Sequence, residues 1–149
     1  MSPLAIGDRA PDIEGVRAGG GPQALFFYKV TCPTCQLAAP KMAAFERIAP
    51  GRTIGVGQDP RPALERFAQT YGFGIGSVED APPYAASVAY DIVSVPTLYL
   101  IDEGTVIDVV GAWEREGFNR VAATLARSSG VEPIEISSPL DGLPAFQPG

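Results

Sequence analysis

The apolar positions fall into strand-like runs and helical stripes that alternate along the chain. Ala24-Leu25-Phe26-Phe27-Tyr28 is an unbroken apolar run, the pattern of a strand buried on both faces of an α/β sheet. After it, Ala38, Met42, Phe45 and Ala49 recur at helical spacing and predict an amphipathic helix. Pro33 suits the first turn of that helix, Pro40 should kink it, and Gly51 closes it. Thr53 to Gly57 reads as a second strand. Asp59-Pro60 starts a second helix, with Asp59 as its cap, and Leu64, Phe67, Ala68 and Tyr71 form its buried stripe. Phe73 to Val78 reads as a short strand weakened by Gly74 and Gly76, and Tyr84 to Tyr90 as a weaker helix. Thr97-Leu98-Tyr99-Leu100-Ile101 and Val106-Ile107-Asp108-Val109-Val110 flank Asp102-Glu103-Gly104, a hairpin signal. Phe118, Val121, Ala122, Leu125 and Ala126 mark a last helix.

Strands separated by helices pair in parallel through right-handed crossovers, whereas the late hairpin must be antiparallel. The order therefore predicts an α/β fold with a mixed central sheet and helices on both faces. Asp12 to Val16 alternates like a short edge strand, and Gly19-Gly20-Gly21-Pro22 breaks regular structure behind it. The expected domain spans residues 1–129. Residues 130–149 form a C-terminal tail rich in Pro and Gly, to which the pattern assigns no structure.

Composition narrows the chemistry. The chain has 149 residues, which suits one domain, and a net charge of −6. Its 11 basic residues are scattered, and only Lys29 and Lys41 are lysines. No stripe for nucleic acid and no polybasic patch for a membrane surface results. Histidine is absent, which excludes Ser/His and Cys/His nucleophile pairs and His-ligated zinc. The chain begins at Met1 without an apolar leader or a membrane span, so a cytoplasmic protein is expected, or an exported one if a signal peptide has been removed.

Cys32-Pro33-Thr34-Cys35 lies between the first strand and the first helix. Two cysteines three apart on a helix share a face. At the helix N-terminus the free N–H groups and the macrodipole favour a thiolate, so the Cys32 pKa should fall below the free value of ~8.5. Cys35, one turn inside, should stay a buried thiol. That asymmetry suits disulfide exchange, with Cys32 attacking a partner's disulfide and Cys35 resolving the mixed disulfide. A metal site would need further ligands, and the chain has no other Cys and no His. No metal and no cofactor is therefore expected.

Phe26-Phe27-Tyr28, Cys32-Pro33-Thr34-Cys35, Pro40 and Tyr90-Asp91-Ile92-Val93-Ser94-Val95-Pro96-Thr97 resemble the thioredoxin superfamily, and within it the TlpA/ResA-like redoxins. The opening Gly7-Asp8-Arg9-Ala10-Pro11-Asp12 is also similar to redoxin N-termini. The resemblance covers about residues 5 to 127. It implies a thioredoxin-like fold and a thiol–disulfide oxidoreductase acting on protein thiols and disulfides, supplied by a reductase or thiol donor. It also implies a cis peptide before Pro96, with the Val95 backbone beside Cys32 and free to pair with an extended partner chain. Pro33, Thr34, Val95 and Pro96 become the expected substrate-binding residues.

The sequence departs from the family at three places. Thr31 stands where Trp is usual before the first cysteine. Phe26 stands at the buried Asp of thioredoxins, and Ala38 at the Glu of ResA-like proteins. The usual proton acceptors for Cys35 are thus missing. A peroxiredoxin reading fails on its signature, because Leu25 and Lys29, or Tyr28 and Cys32, occupy its Pro and Thr positions. A redox-inactive binding module with the same fold is the other alternative. Tyr28 is either core or a wall of the site. Lys29 is a candidate support for the Cys32 thiolate, and Trp113 a packing residue. The Thr34 hydroxyl is expected to donate to that thiolate. With the acid missing, this predicts a couple of roughly −250 to −180 mV, between thioredoxin and the strong oxidants.

Overall fold

A computed structural model describes residues 3–17 and 19–149, so Met1, Ser2 and Ala18 lie outside the described residues. Strand β1 (Gln23–Tyr28) is buried along its whole length. Its pleat sends Ala24, Phe26 and Tyr28 into one core and Leu25 and Phe27 into another. That is why the run reads as continuously apolar. Helix α1 (Pro33–Ile48) follows, with Pro33 in its first turn and Pro40 inside it. Its buried face carries Cys35, Ala38, Met42 and Phe45. Burial of a side chain such as Phe45 contributes about 1.5–3 kcal/mol.

β2 (Thr53–Gly57) pairs in parallel with β1, and α2 (Arg61–Tyr71) leads to β3 (Ser77–Glu79), which pairs in parallel with β2. After the short α3 (Ala85–Ala89), the hairpin β4 (Thr97–Asp102) and β5 (Thr105–Gly111) adds the antiparallel half. The sheet order is β3-β2-β1-β4-β5, and the mixed sheet has the thioredoxin-like arrangement. β6 (Trp113–Glu114) and α4 (Arg115–Ser128) follow. Helices α1, α2 and α4 cover one face through Phe45, Phe67 and Phe118. The other face is covered by α3 and the segment carrying Leu4, Ala10, Ile13 and Val16.

Three expectations change. Residues 12–16 form no strand: the chain turns at Glu14 and Gly15, with the Val16 N–H donating to the Ile13 carbonyl at 3.0 Å. Gly15 holds a φ of +86°, which ends an extended run. The strand after Phe73 starts only at Ser77, because Gly74 turns with a φ of +72°. Residues 130–149 are structured against the domain. They contain a 3-10 turn (Pro139–Asp141) and β7 (Phe146–Gln147), which pairs antiparallel with β6.

Candidate active site

Cys32 ends the loop after β1 and caps α1 from an extended backbone (φ −81°, ψ 117°). Its sulfur accepts the Cys35 backbone N–H at 3.1 Å. Pro33 follows in the first turn, where its missing N–H leaves no donor unsatisfied. The preceding loop is held from both sides. The Val30 N–H donates to Asp59 Oδ2 at 2.9 Å, and Gln36 Nε2 donates to the Val30 carbonyl at 2.9 Å. The Cys32 N–H donates to the Lys29 carbonyl at 3.1 Å.

The two thiols are free and stand in unlike surroundings. Cys32 is partly exposed and its pKa is lowered to about 6. The hydrogen bond from the Cys35 thiol is the largest cause. The backbone N–H groups of Cys35 and Thr34 add to it, against the opposing cost of partial burial. Cys35 is fully buried, and burial, followed by the neighbouring Cys32 sulfur, pushes its thiol far above the ordinary range. Phe26 and Ala38 are both fully buried in the same core as Cys35, and no carboxylate is among the groups that move the Cys35 pKa.

The second half of the site arrives from β4. Because Phe27 of β1 lies opposite Thr97 of β4, the loop before β4 reaches the end of β1 where Cys32 sits. The Val95–Pro96 peptide is cis. The Cys32 thiol donates to the Val95 carbonyl at 3.6 Å. Pro96 is buried, and its carbonyl accepts the Ala112 N–H at 2.9 Å.

Two of the expected roles need correction, those of the Thr34 hydroxyl and Asp59. The Thr34 hydroxyl does not turn to Cys32: it donates to the Pro148 carbonyl at 2.5 Å and accepts from Gln147 Nε2 at 2.9 Å. Asp59 does not cap α2, which starts after Pro60 with no side-chain cap. Its carboxylate is turned instead to Val30. Tyr28 is core rather than site wall. Its ring lies over Gly55 and Gly57, where an added Cβ would stand 2.9 and 3.0 Å from ring atoms. Its hydroxyl pairs with Ser77 Oγ at 2.7 Å, and burial raises its pKa to about 12. The Lys29 side chain is exposed and is not among the groups that lower the Cys32 pKa.

Trp113 packs, as its type suggests, against Phe118 at 4.7 Å between ring centroids. It also holds the C-terminal segment, with Nε1 donating to the Pro144 carbonyl at 2.8 Å. Sequence periodicity missed Asp59, Gln147 and Pro148 as neighbours of the motif. A side-chain hydrogen bond across the fold leaves no periodic trace.

No protein-family model and no curated protein matches the chain. Solved structures do. DsbF of Mycobacterium tuberculosis, determined in mixed oxidized and reduced forms, is 26% identical with a TM-score of 0.62, covering 72% of this chain and 82% of that one. A secreted M. tuberculosis disulfide oxidoreductase homologous to E. coli DsbE is 18% identical with a TM-score of 0.61, covering 73% and 83%. A thiol:disulfide interchange protein of Chlorobium tepidum is 22% identical with a TM-score of 0.64, covering 82% and 99%. The chain has the thioredoxin-like fold, and its structural neighbours are thiol:disulfide oxidoreductases.

Proposed function

We propose that this chain is a thiol–disulfide oxidoreductase that exchanges disulfides with partner proteins through Cys32 and Cys35. The observation that carries the reading is the opposite character of the two sulfurs: a partly exposed Cys32 with its pKa near 6 and a fully buried Cys35 one turn inside. The Cys32 thiolate attacks a sulfur of the partner's disulfide. One S–S bond forms, one breaks, and the leaving thiolate takes up a proton. Cys35, once deprotonated, then attacks Cys32, which releases the partner as a dithiol and leaves the Cys32–Cys35 disulfide. A thiol donor or reductase returns the pair to the dithiol.

The Val95 backbone beside Cys32 supports a docking role for Val95 and Pro96, because an extended chain can pair there as an added strand. Among the described residues no helix is long and apolar enough to cross a membrane. The direction of electron flow follows the redox poise of the compartment: a glutathione-reduced cytosol holds the pair as dithiol, an oxidising compartment as disulfide.

The test is insulin-disulfide reduction in the presence of dithiothreitol. The wild-type chain should accelerate it, and Cys32→Ser should not. Cys35→Ser should accumulate a mixed disulfide on Cys32, visible by mass. A chain that leaves insulin untouched and forms no adduct as Cys35→Ser would favour the redox-inactive binding module.

A further inference from the structure

Residues 130–149 cross the protein surface and end on the candidate site. Their first part is anchored by several groups. Asn119 brackets the backbone: its Oδ1 accepts the N–H groups of Ile136 and Ser137 at 2.8 and 3.1 Å, and its Nδ2 donates to the Ser137 carbonyl at 2.9 Å. Lys41 on α1 pairs with Asp141 at 2.9 Å, and Arg115 donates to the Leu143 carbonyl at 2.6 Å. Trp113 takes the Pro144 carbonyl, and the Arg115 N–H donates to the Ala145 carbonyl at 2.9 Å.

From the Gln147 side chain onward the hold is lighter and falls on the redox motif itself. Gln147 and Pro148 both bond the Thr34 side chain. Thr34, the residue between Pro33 and Cys35, is only 2% exposed. Gly149 then lies against Val95. An added Cβ there would collide with the Val95 carbonyl oxygen and stand 3.5 Å from Pro96 Cδ. That carbonyl is the one the Cys32 thiol reaches at 3.6 Å. The segment thus occupies, in extended form, the space between Thr34 and Val95 where a partner chain would lie.

We propose that residues 147–149 are an intramolecular occupant of the Cys32 groove, a latch that must lift before a partner chain docks. The inference rests on the redox reading above. The firm anchor at 136–145 continues through the pairing of β7 with Trp113 and Glu114, and the light contacts are those of the Gln147 side chain, Pro148 and Gly149, so the latch is hinged at Gln147: these groups can leave while the rest stays docked. The contacts at the motif engage backbone and a single amide, so they mimic the backbone pairing of any extended chain rather than one particular side chain.

The experiment measures alkylation of the reduced full chain by a bulky maleimide–polyethylene glycol and by iodoacetamide. Rates are taken on the high-pH plateau, where Cys32 is fully thiolate. Gly149→Val lifts the end by collision, and Gln147→Ala removes one bond to Thr34 without touching the core. Losing about one hydrogen bond's worth of hold should raise the bulky-reagent rate at Cys32 by about three- to tenfold in each variant. Iodoacetamide should gain less, and the wild-type rate should not depend on protein concentration. Variant rates equal to wild type, with Cys32 reactive throughout, overturn the latch and leave the redox reading standing. A wild-type rate that falls as protein concentration rises places a second copy's segment in the groove and overturns the intramolecular latch. Cys32 unreactive in all three forms overturns the redox reading and the latch with it.

Discussion

The Cys32 sulfur and the Val95 carbonyl oxygen stand 3.6 Å apart although 63 residues separate them in the chain. Two independent pieces of the fold meet there. The start of α1 supplies donors that favour a thiolate, and the loop before β4 supplies backbone beside it. Their meeting depends on β1 and β4 being neighbours in the sheet, so the site is a product of the sheet order and not of the motif alone.

Asp59 is the hidden support of the loop in front of Cys32. Its carboxylate accepts the Val30 N–H at 2.9 Å, and Asp59→Ala leaves that partly buried donor without its partner. A loss of about 1–2 kcal/mol of stability is expected, measured by urea unfolding of the reduced protein. The Cys32 pKa should move little, because Asp59 is not among the groups that set it. An unchanged unfolding midpoint would show that water replaces the carboxylate.

The proton acceptor for Cys35 can be supplied by design. Ala38 lies one turn beyond Cys35 on the buried face of α1. Ala38→Glu places a carboxylate where the Cys35 proton must leave, at the cost of burying a large acid in a packed core. The variant should melt lower than wild type. It should resolve a glutathione mixed disulfide on Cys32 at least about tenfold faster, in line with the effect of a positioned base. No gain in a folded variant would mean that water or another group already takes the proton.

The motif, the central strand and the helices were legible because each writes a local signature: a continuous apolar run for β1, a helical stripe for α1, two cysteines at the junction. Three features were not legible. β7 has only two residues, too short to show a period. Asp59 sits before a proline, a position that looks like a helix cap, yet its carboxylate turns to Val30. The Thr34 hydroxyl was expected at the Cys32 sulfur and is bound instead by Pro148, 114 positions away. The last two are polar side chains whose partners are set by tertiary packing, and polar partners follow no spacing rule.

The redox potential follows from the same sulfurs. Thr34 gives no side-chain bond to the thiolate, but the Cys35 thiol and two backbone N–H groups still stabilise it. Stabilising the thiolate stabilises the dithiol form and raises the potential above thioredoxin's. Equilibration with glutathione, read by mass after alkylation, should give roughly −250 to −180 mV. A value as low as that of thioredoxin, about −270 mV, would mean that the thiolate stabilisation does not govern the couple.

The most direct measurement is the pH profile of alkylation, resolved by site. The thiolate is the nucleophile, and the Cys32 pKa is lowered in the folded chain. Its alkylation should therefore be at full rate above pH 7 and fall away as pH drops through about 6. An unperturbed thiol would lose it already below ~8.5. Cys35, buried and raised, should remain unlabelled across the whole range in which the protein is folded. A Cys32 midpoint near the free value, or Cys35 labelled as fast as Cys32, would contradict the assignment of Cys32 as the attacking sulfur.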